Sequence, residues 1–173
     1  MINEDFVLKI AFINPNSTET MTKNCANSFA ASVGSGFEVR AVTNYAGPPA
    51  IQGKEDGDAS VPGMLKAIDC NSDCDAFVIG CFDDTGLDQA RERTEKLVIG
   101  IGQASFHFAT LVGNSFSILT TLSVSIPVIE KNVRYQGFNK NCKEVIASGV
   151  RVLDLEHFPE ASMQKISFHI HKI

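Results

Sequence analysis

Five cysteines are the most reactive side chains of this sequence, and one of them, Cys81, stands where it can do chemistry. It follows the continuous apolar run Ala76 to Gly80 (AFVIG) and is followed at once by Phe82-Asp83-Asp84. Such a run reads as a parallel strand covered on both faces. The thiol is then delivered at the strand's carboxyl end, where open parallel sheets bind ligands. Two residues past Asp84, Gly86 marks a turn into a helix whose amides favour a thiolate. The plain alternative is a buried cysteine acting as a small apolar residue, the commoner fate of the type, but the placement beside two carboxylates favours function.

Asp83 and Asp84 can orient a substrate amide or a neighbouring backbone, although carboxylates aimed at the thiol would raise its pKa. Capping the following helix is an equally good use for one of them. Asn14, Ser17 and Thr18 combine side-chain donors and acceptors with the amides of a helix start, a site for a carboxylate, carbonyl or imide oxygen. A simple cap is their alternative role. Thr120 and Thr121 take the corresponding place in the second half of the chain.

Other reactive groups lead nowhere. Cys70 and Cys74 are spaced for metal, yet no second Cys/His pair lies at ligand spacing. His169 and His171 read as solvated residues of a terminal strand, and His107 as a packed, hydrogen-bonded residue of an apolar helix. The glycine signatures of dinucleotide and nucleoside triphosphate sites and the GxSxG of serine hydrolases do not occur.

The elements that must position these residues alternate between strand and helix. Val7 to Ile13 reads as a strand ended by Asn14-Pro15-Asn16-Ser17-Thr18, and Glu19 to Val33 as a helix with an apolar stripe of Met21, Cys25, Phe29 and Val33. Phe37 to Val42 is a strand. Ala46 to Gly63, dense in Gly, Pro and Asp, reads as a long loop, with a short helix from Met64 to Ile68 after it. Helices are expected at Gln89 to Thr94, Ser105 to Leu111 and Ile126 to Tyr135, and Cys142 is expected to lie in a helix before the last strand. Strands are expected at Leu97 to Ile101, Phe116 to Leu119 and Val150 to Leu155. The second half thus repeats strand, hydroxyl-rich turn, helix, strand. This order implies an α/β fold of parallel sheets in two lobes, 1–112 and 113–173, the second incomplete.

A length of 173 residues with 44% hydrophobic residues supports a packed core. A net charge of -5 without a basic cluster argues against nucleic acid and anionic lipid as partners. No apolar run approaches the roughly 20 residues of a membrane span. The N-terminus lacks a secretory pattern, so a cytoplasmic protein with reduced thiols is expected.

The segments FINPNSTETMT (Phe12 to Thr22), IGCFDDTGLDQAR (Ile79 to Arg91), LVIGIGQASFHFA (Leu97 to Ala109), FSILTT (Phe116 to Thr121) and GVRVLDLE (Gly149 to Glu156) resemble the hydantoin racemase branch of the Asp/Glu/hydantoin racemase superfamily. That branch includes allantoin racemases. The resemblance implies two pseudo-symmetric α/β lobes with a cysteine from each facing a hydantoin-like substrate, and no metal or organic cofactor. Cys81 is the first-lobe acid/base by that resemblance, and Asn14, Ser17, Thr18, Thr120 and Thr121 bind the ring. Two departures stand out. Thr85 occupies a position where the family pattern has proline. The second-lobe cysteine is expected beyond Val150 to Leu155 and a further helix, yet the tail HFPEASMQKISFHIHKI contains no glycine-cysteine segment, so the chain is expected to end before that thiol. Full racemase activity is then doubtful. A one-thiol decarboxylase or isomerase, or a non-catalytic ligand-binding or subunit-interaction protein, are the alternatives, and an uncovered second sheet leaves room for a homo-oligomer.

Overall fold

The computed structural model describes residues 7–172. Four parallel strands, β1 (Leu8–Asn14), β2 (Phe37–Thr43), β3 (Ala76–Ile79) and β4 (Leu97–Gly100), form one sheet in the order β2-β1-β3-β4. Register pairs Ile13 with Ile79 and Ile79 with Gly100, so the turns after β1, β3 and β4 emerge side by side. A second sheet holds β5 (Phe116–Thr120) and β6 (Cys142–Ala147), parallel, with Thr120 opposite Ala147.

Helices α1 (Glu19–Val33), α2 (Lys54–Cys70), α3 (Leu87–Arg93) and α4 (Ile101–Val112) belong to the first sheet's half of the chain, and α5 (Ile126–Tyr135), α6 (Asp154–His157) and α7 (Pro159–Ile170) to the second. The core beneath α2 is built from Ala11, Ile13, Met64, Ile68, Phe77, Ile79 and Leu87. Each large side chain buried there contributes about 1.5–3 kcal/mol of transfer free energy. A second cluster of Phe106, Ile118, Ile129, Val133 and Phe138 sits under the second sheet. Phe106, from α4, stacks on Phe116 at 5.9 Å between centroids, which ties the two halves together.

Several expectations need correction. Ala46 to Gly63 is no continuous loop, since α2 starts at Lys54 and runs 17 residues, far past the short helix expected. Its buried stripe Ser60, Met64 and Ile68, spaced by four, outweighs Pro62, which stays exposed and forfeits one backbone bond. On α1 the buried residues are Thr22 and Ala26, while Cys25 is exposed; small side chains let the helix lie close to β1. Val150 to Leu155 forms no strand. The ladder of the second sheet ends where Ser148 and Gly149 donate to Thr120 and Thr121 carbonyls at 2.9 Å, and Gly149, at φ 71°, turns the chain away. Cys142 opens β6 and is in no helix, and His169 lies in α7, with His171 capping it, where a strand was expected. His107 is exposed, its ring edge-on to Phe138 at 4.8 Å.

No helix among the described residues is long and apolar enough to cross a membrane.

Candidate active site

Cys81 lies directly past β3, one residue beyond Gly80, whose amide still donates to Ile13 O at 2.8 Å. Gly80 has no room for a side chain, because a Cβ there would run into the Phe12 ring. The thiol is therefore held at the carboxyl edge of the sheet next to the β1–α1 turn.

The four residues after Cys81 each run to a different element. Phe82 packs edge-on against Phe106 at 5.8 Å and so enters the second core. Asp83 is half-buried. Its carboxyl accepts from Ser125 in the turn before α5, and its carbonyl accepts from Asn132 Nδ2 on α5 at 2.7 Å. Burial, with some help from the neighbouring Asp84 charge, pushes the Asp83 carboxyl up to about 6. Asp84, at φ 49°, turns its carboxylate onto the start of α4, where Gly102 N and Gln103 N donate at 2.9 and 2.8 Å and Gln136 Nε2 at 3.3 Å. Gly100 and Gly102 permit that approach, since a Cβ on either would collide with Asp84. Burial holds the Asp84 carboxyl above the usual range despite these donors. Thr85 is buried and its Oγ1 lies 3.4 Å from Cys81 Sγ.

Both Asp84 oxygens accept from amides of α4, so the residue caps that helix instead of the adjacent α3, and it also lines the cavity described below. The expected thiolate at Cys81 is corrected. Burial, then the Asp83 charge, raises the thiol to about 11, outweighing the Thr85 hydroxyl and nearby amides.

Asn14 is buried, and its amide donates to Asn16 Oδ1 at 2.8 Å and to Thr22 Oγ1 at 3.0 Å. Asn16 in turn accepts from Thr18 N at 2.9 Å, closing the turn that leads into α1. The Thr18 hydroxyl donates to Pro49 O at 2.6 Å and the Ser17 amide to Pro48 O at 2.9 Å. Asn14 and Thr18 thus shape the turn beside Cys81, and Ser17 is half-buried there. Thr120 and Thr121, also half-buried, end β5 in the second sheet.

A cavity of about 780 Å³ opens between α2, α3 and α5, lined by Gly57, Asp83, Thr85, Val124, Asn132 and Gln136 among others. Neither Cys81 nor Asn14, Ser17, Thr18, Thr120 or Thr121 lines it, so it lies behind the segment that carries the thiol. The sequence reading missed Ser125, Asn132, Gln136 and the Gly57 wall. Asn132 and Gln136, two amides at i and i+4 on α5, are the one signal that could have shown a polar stripe facing the Asp pair. Among the described residues no group of three or more His, Cys, Asp or Glu is arranged to hold a metal ion.

Two parallel sheets with a cysteine-bearing turn at the carboxyl edge of the first define an α/β protein with a thiol site near the junction of its halves. Residues 10–173 match the Asp/Glu/Hydantoin racemase family model, and the chain belongs to that family. It is 40% identical to a hydantoin racemase of Rhizobium meliloti over 155 residues, covering 88% of this chain and 64% of that one. To a hydantoin racemase of Pseudomonas sp. (strain NS671) it is 34% identical, covering 92% of this chain and 65% of the relative. The chain thus spans just under two thirds of the length of these relatives. The solved allantoin racemase from Klebsiella pneumoniae superposes with a TM-score of 0.92 at 33% identity, covering 95% of this chain and 68% of that one.

Proposed function

We propose that this chain carries a carbon-acid site in which Cys81 moves the α-proton of a 5-substituted hydantoin such as allantoin. The observation behind the proposal is the placement of Cys81: a fixed thiol at the carboxyl edge of a parallel sheet, in a chain whose relatives are hydantoin and allantoin racemases. Removing that proton leaves a planar enolate-like carbon, whose oxygen needs hydrogen-bond donors. Ser17 in the turn after β1 and Thr120 and Thr121 at the end of β5 are the hydroxyls assigned to the ring, with Asn14 and Thr18 fixing the turn that presents Ser17. Asp83 and Asp84 fix the segment that presents the thiol.

Inversion needs an acid and a base on opposite faces of the planar carbon. Among the described residues Cys25 lies on α1, Cys70 and Cys74 at the turn leading into β3, and Cys142 at the start of β6, all away from the carboxyl edges. Cys81 therefore serves one face. The reaction assigned to it is proton exchange on that face, the chemistry shared with a one-thiol decarboxylase or isomerase.

The test is to incubate one enantiomer of allantoin with the purified protein in D₂O and follow the C5 proton by NMR alongside optical rotation. Deuterium is expected to enter C5 faster than rotation is lost. No incorporation above the buffer rate overturns the proposal, and inversion keeping pace with exchange overturns its one-face form.

A further inference from the structure

Cys81, half-buried beside the Asp83 carboxylate, needs a partner that lets it give up its proton. The side chains facing Sγ limit the choice. Asp83, on the same segment, puts a negative charge near it. Asp84 is turned away onto α4. On α2, Gly57 is the residue beside Thr85 and carries no charge, and from the turn before α5 Ser125 reaches the Asp83 carboxyl. The amides of Asp83 and Thr85 point toward the sulfur, and the Thr85 hydroxyl lies 3.4 Å from it.

That hydroxyl is held in place. Thr85 is buried in the segment between Cys81 and α3, and Gly57 of α2 faces it, where even a Cβ would meet Oγ1 at 3.7 Å and Cγ2 at 3.9 Å, ordinary contact distances. While Cys81 is a thiol, either atom can donate. Once Sγ has given up its proton it can only accept, so the bond must then run from Thr85 Oγ1–H to sulfur. Hydrogen bonds to an ionised partner are stronger than those between neutral groups.

We infer that Thr85 is the positioning residue of the reacting thiol: its buried hydroxyl donates to Cys81 Sγ and stabilises the thiolate that abstracts the substrate proton. The inference rests on the proposed role of Cys81, but its test does not depend on turnover. The step is a proton transfer alone: sulfur loses its proton to solvent or accepts one from substrate, and Thr85 keeps its own.

The experiment measures iodoacetamide modification of Cys81 against pH, peptide by peptide by mass spectrometry, in wild type, Thr85→Val and Thr85→Ser. Valine keeps the shape and removes the donor. Its titration midpoint is expected to rise by about one pH unit. The rate at pH 9 should fall about threefold, because a roughly tenfold loss of thiolate is partly offset by the greater nucleophilicity of a more basic sulfur. Serine should restore the wild-type midpoint. If Thr85→Val does not fold, Thr85→Ala carries the test through its midpoint, which a change in access leaves in place.

A residue that merely fills space gives the opposite sign, because loosened packing exposes the sulfur and speeds modification. A midpoint that stays put in Thr85→Val, or a rate at pH 9 equal to or above that of wild type, overturns the inference. Hydantoin exchange measured on the same samples separates the two claims. Exchange absent from wild type sinks the role of Cys81 while a raised midpoint still supports the Thr85 bond, and exchange present with an unmoved midpoint sinks the Thr85 inference alone.

Discussion

Replacing Asp83 with Asn removes a charge that the fold must hold between its two halves. The Asp83 carboxyl stands at about 6 against an ordinary 3.8, chiefly because burial disfavours its ionised form. Folded protein therefore holds an extra proton at this site between about pH 4 and 6, and stability from this group falls as pH rises through that window. Above pH 6 the whole difference of about two units is lost, roughly 3 kcal/mol. Asp83 remains partly exposed, and solvent screening trims this to an expected ~1–2 kcal/mol. Asn keeps an oxygen to accept from Ser125 and leaves the backbone bond from Asn132 untouched. Asp83→Asn should then be more stable than wild type by ~1–2 kcal/mol at pH 8 and equal to it near pH 3.5, in urea melts followed by circular dichroism. The Cys81 modification midpoint should move to lower pH, since the nearby negative charge is gone. A variant less stable than wild type at pH 8, or a stability difference that does not change between pH 3.5 and 8, would refute the burial argument.

Removing the Asp84 carboxylate leaves the Gly102 and Gln103 amides without their acceptor; Asp84→Ala should cost ~2–3 kcal/mol of stability in urea unfolding. Phe106 is 1% exposed and touches Phe82, Phe116 and Phe138, so Phe106→Ala should cost ~3–5 kcal/mol and lower the melting temperature in calorimetry. Gly102→Ala drives a methyl into Phe82 O and Asp84, and ~1–3 kcal/mol should be lost even though alanine favours helices.

The strands and helices around Cys81 were legible because their local signals agree with their tertiary roles: AFVIG is apolar throughout and buried between layers, and Asn14 to Thr18 is turn chemistry used as a turn. The start of α2 was hidden because its sequence carries loop residues for tertiary reasons. Gly57 lies against Thr85, Gly63 leaves room for the Asn44 side chain, and no pattern internal to Lys54 to Ile68 shows those neighbours. At Val150 to Leu155 the alternation of a strand is present, but Gly149, at φ 71°, turns the chain off the sheet after Cys142–Ala147, and Arg151 pairs with Asp154 to close a turn. The position of Cys81 could be read from the chain, whereas its protonation state could not. That state depends on the Asp83 charge and on burial by segments distant in sequence.

Family membership and the placement of Cys81 support the proposal that this thiol moves a proton on carbon. The measurement that tests this most directly is the rate at which the C5 proton of allantoin disappears in D₂O, compared between wild type and Cys81→Ser at equal protein concentration and with the spontaneous rate subtracted. Exchange above the spontaneous rate in wild type and none in Cys81→Ser is the predicted result. Equal exchange by the two proteins would contradict the account.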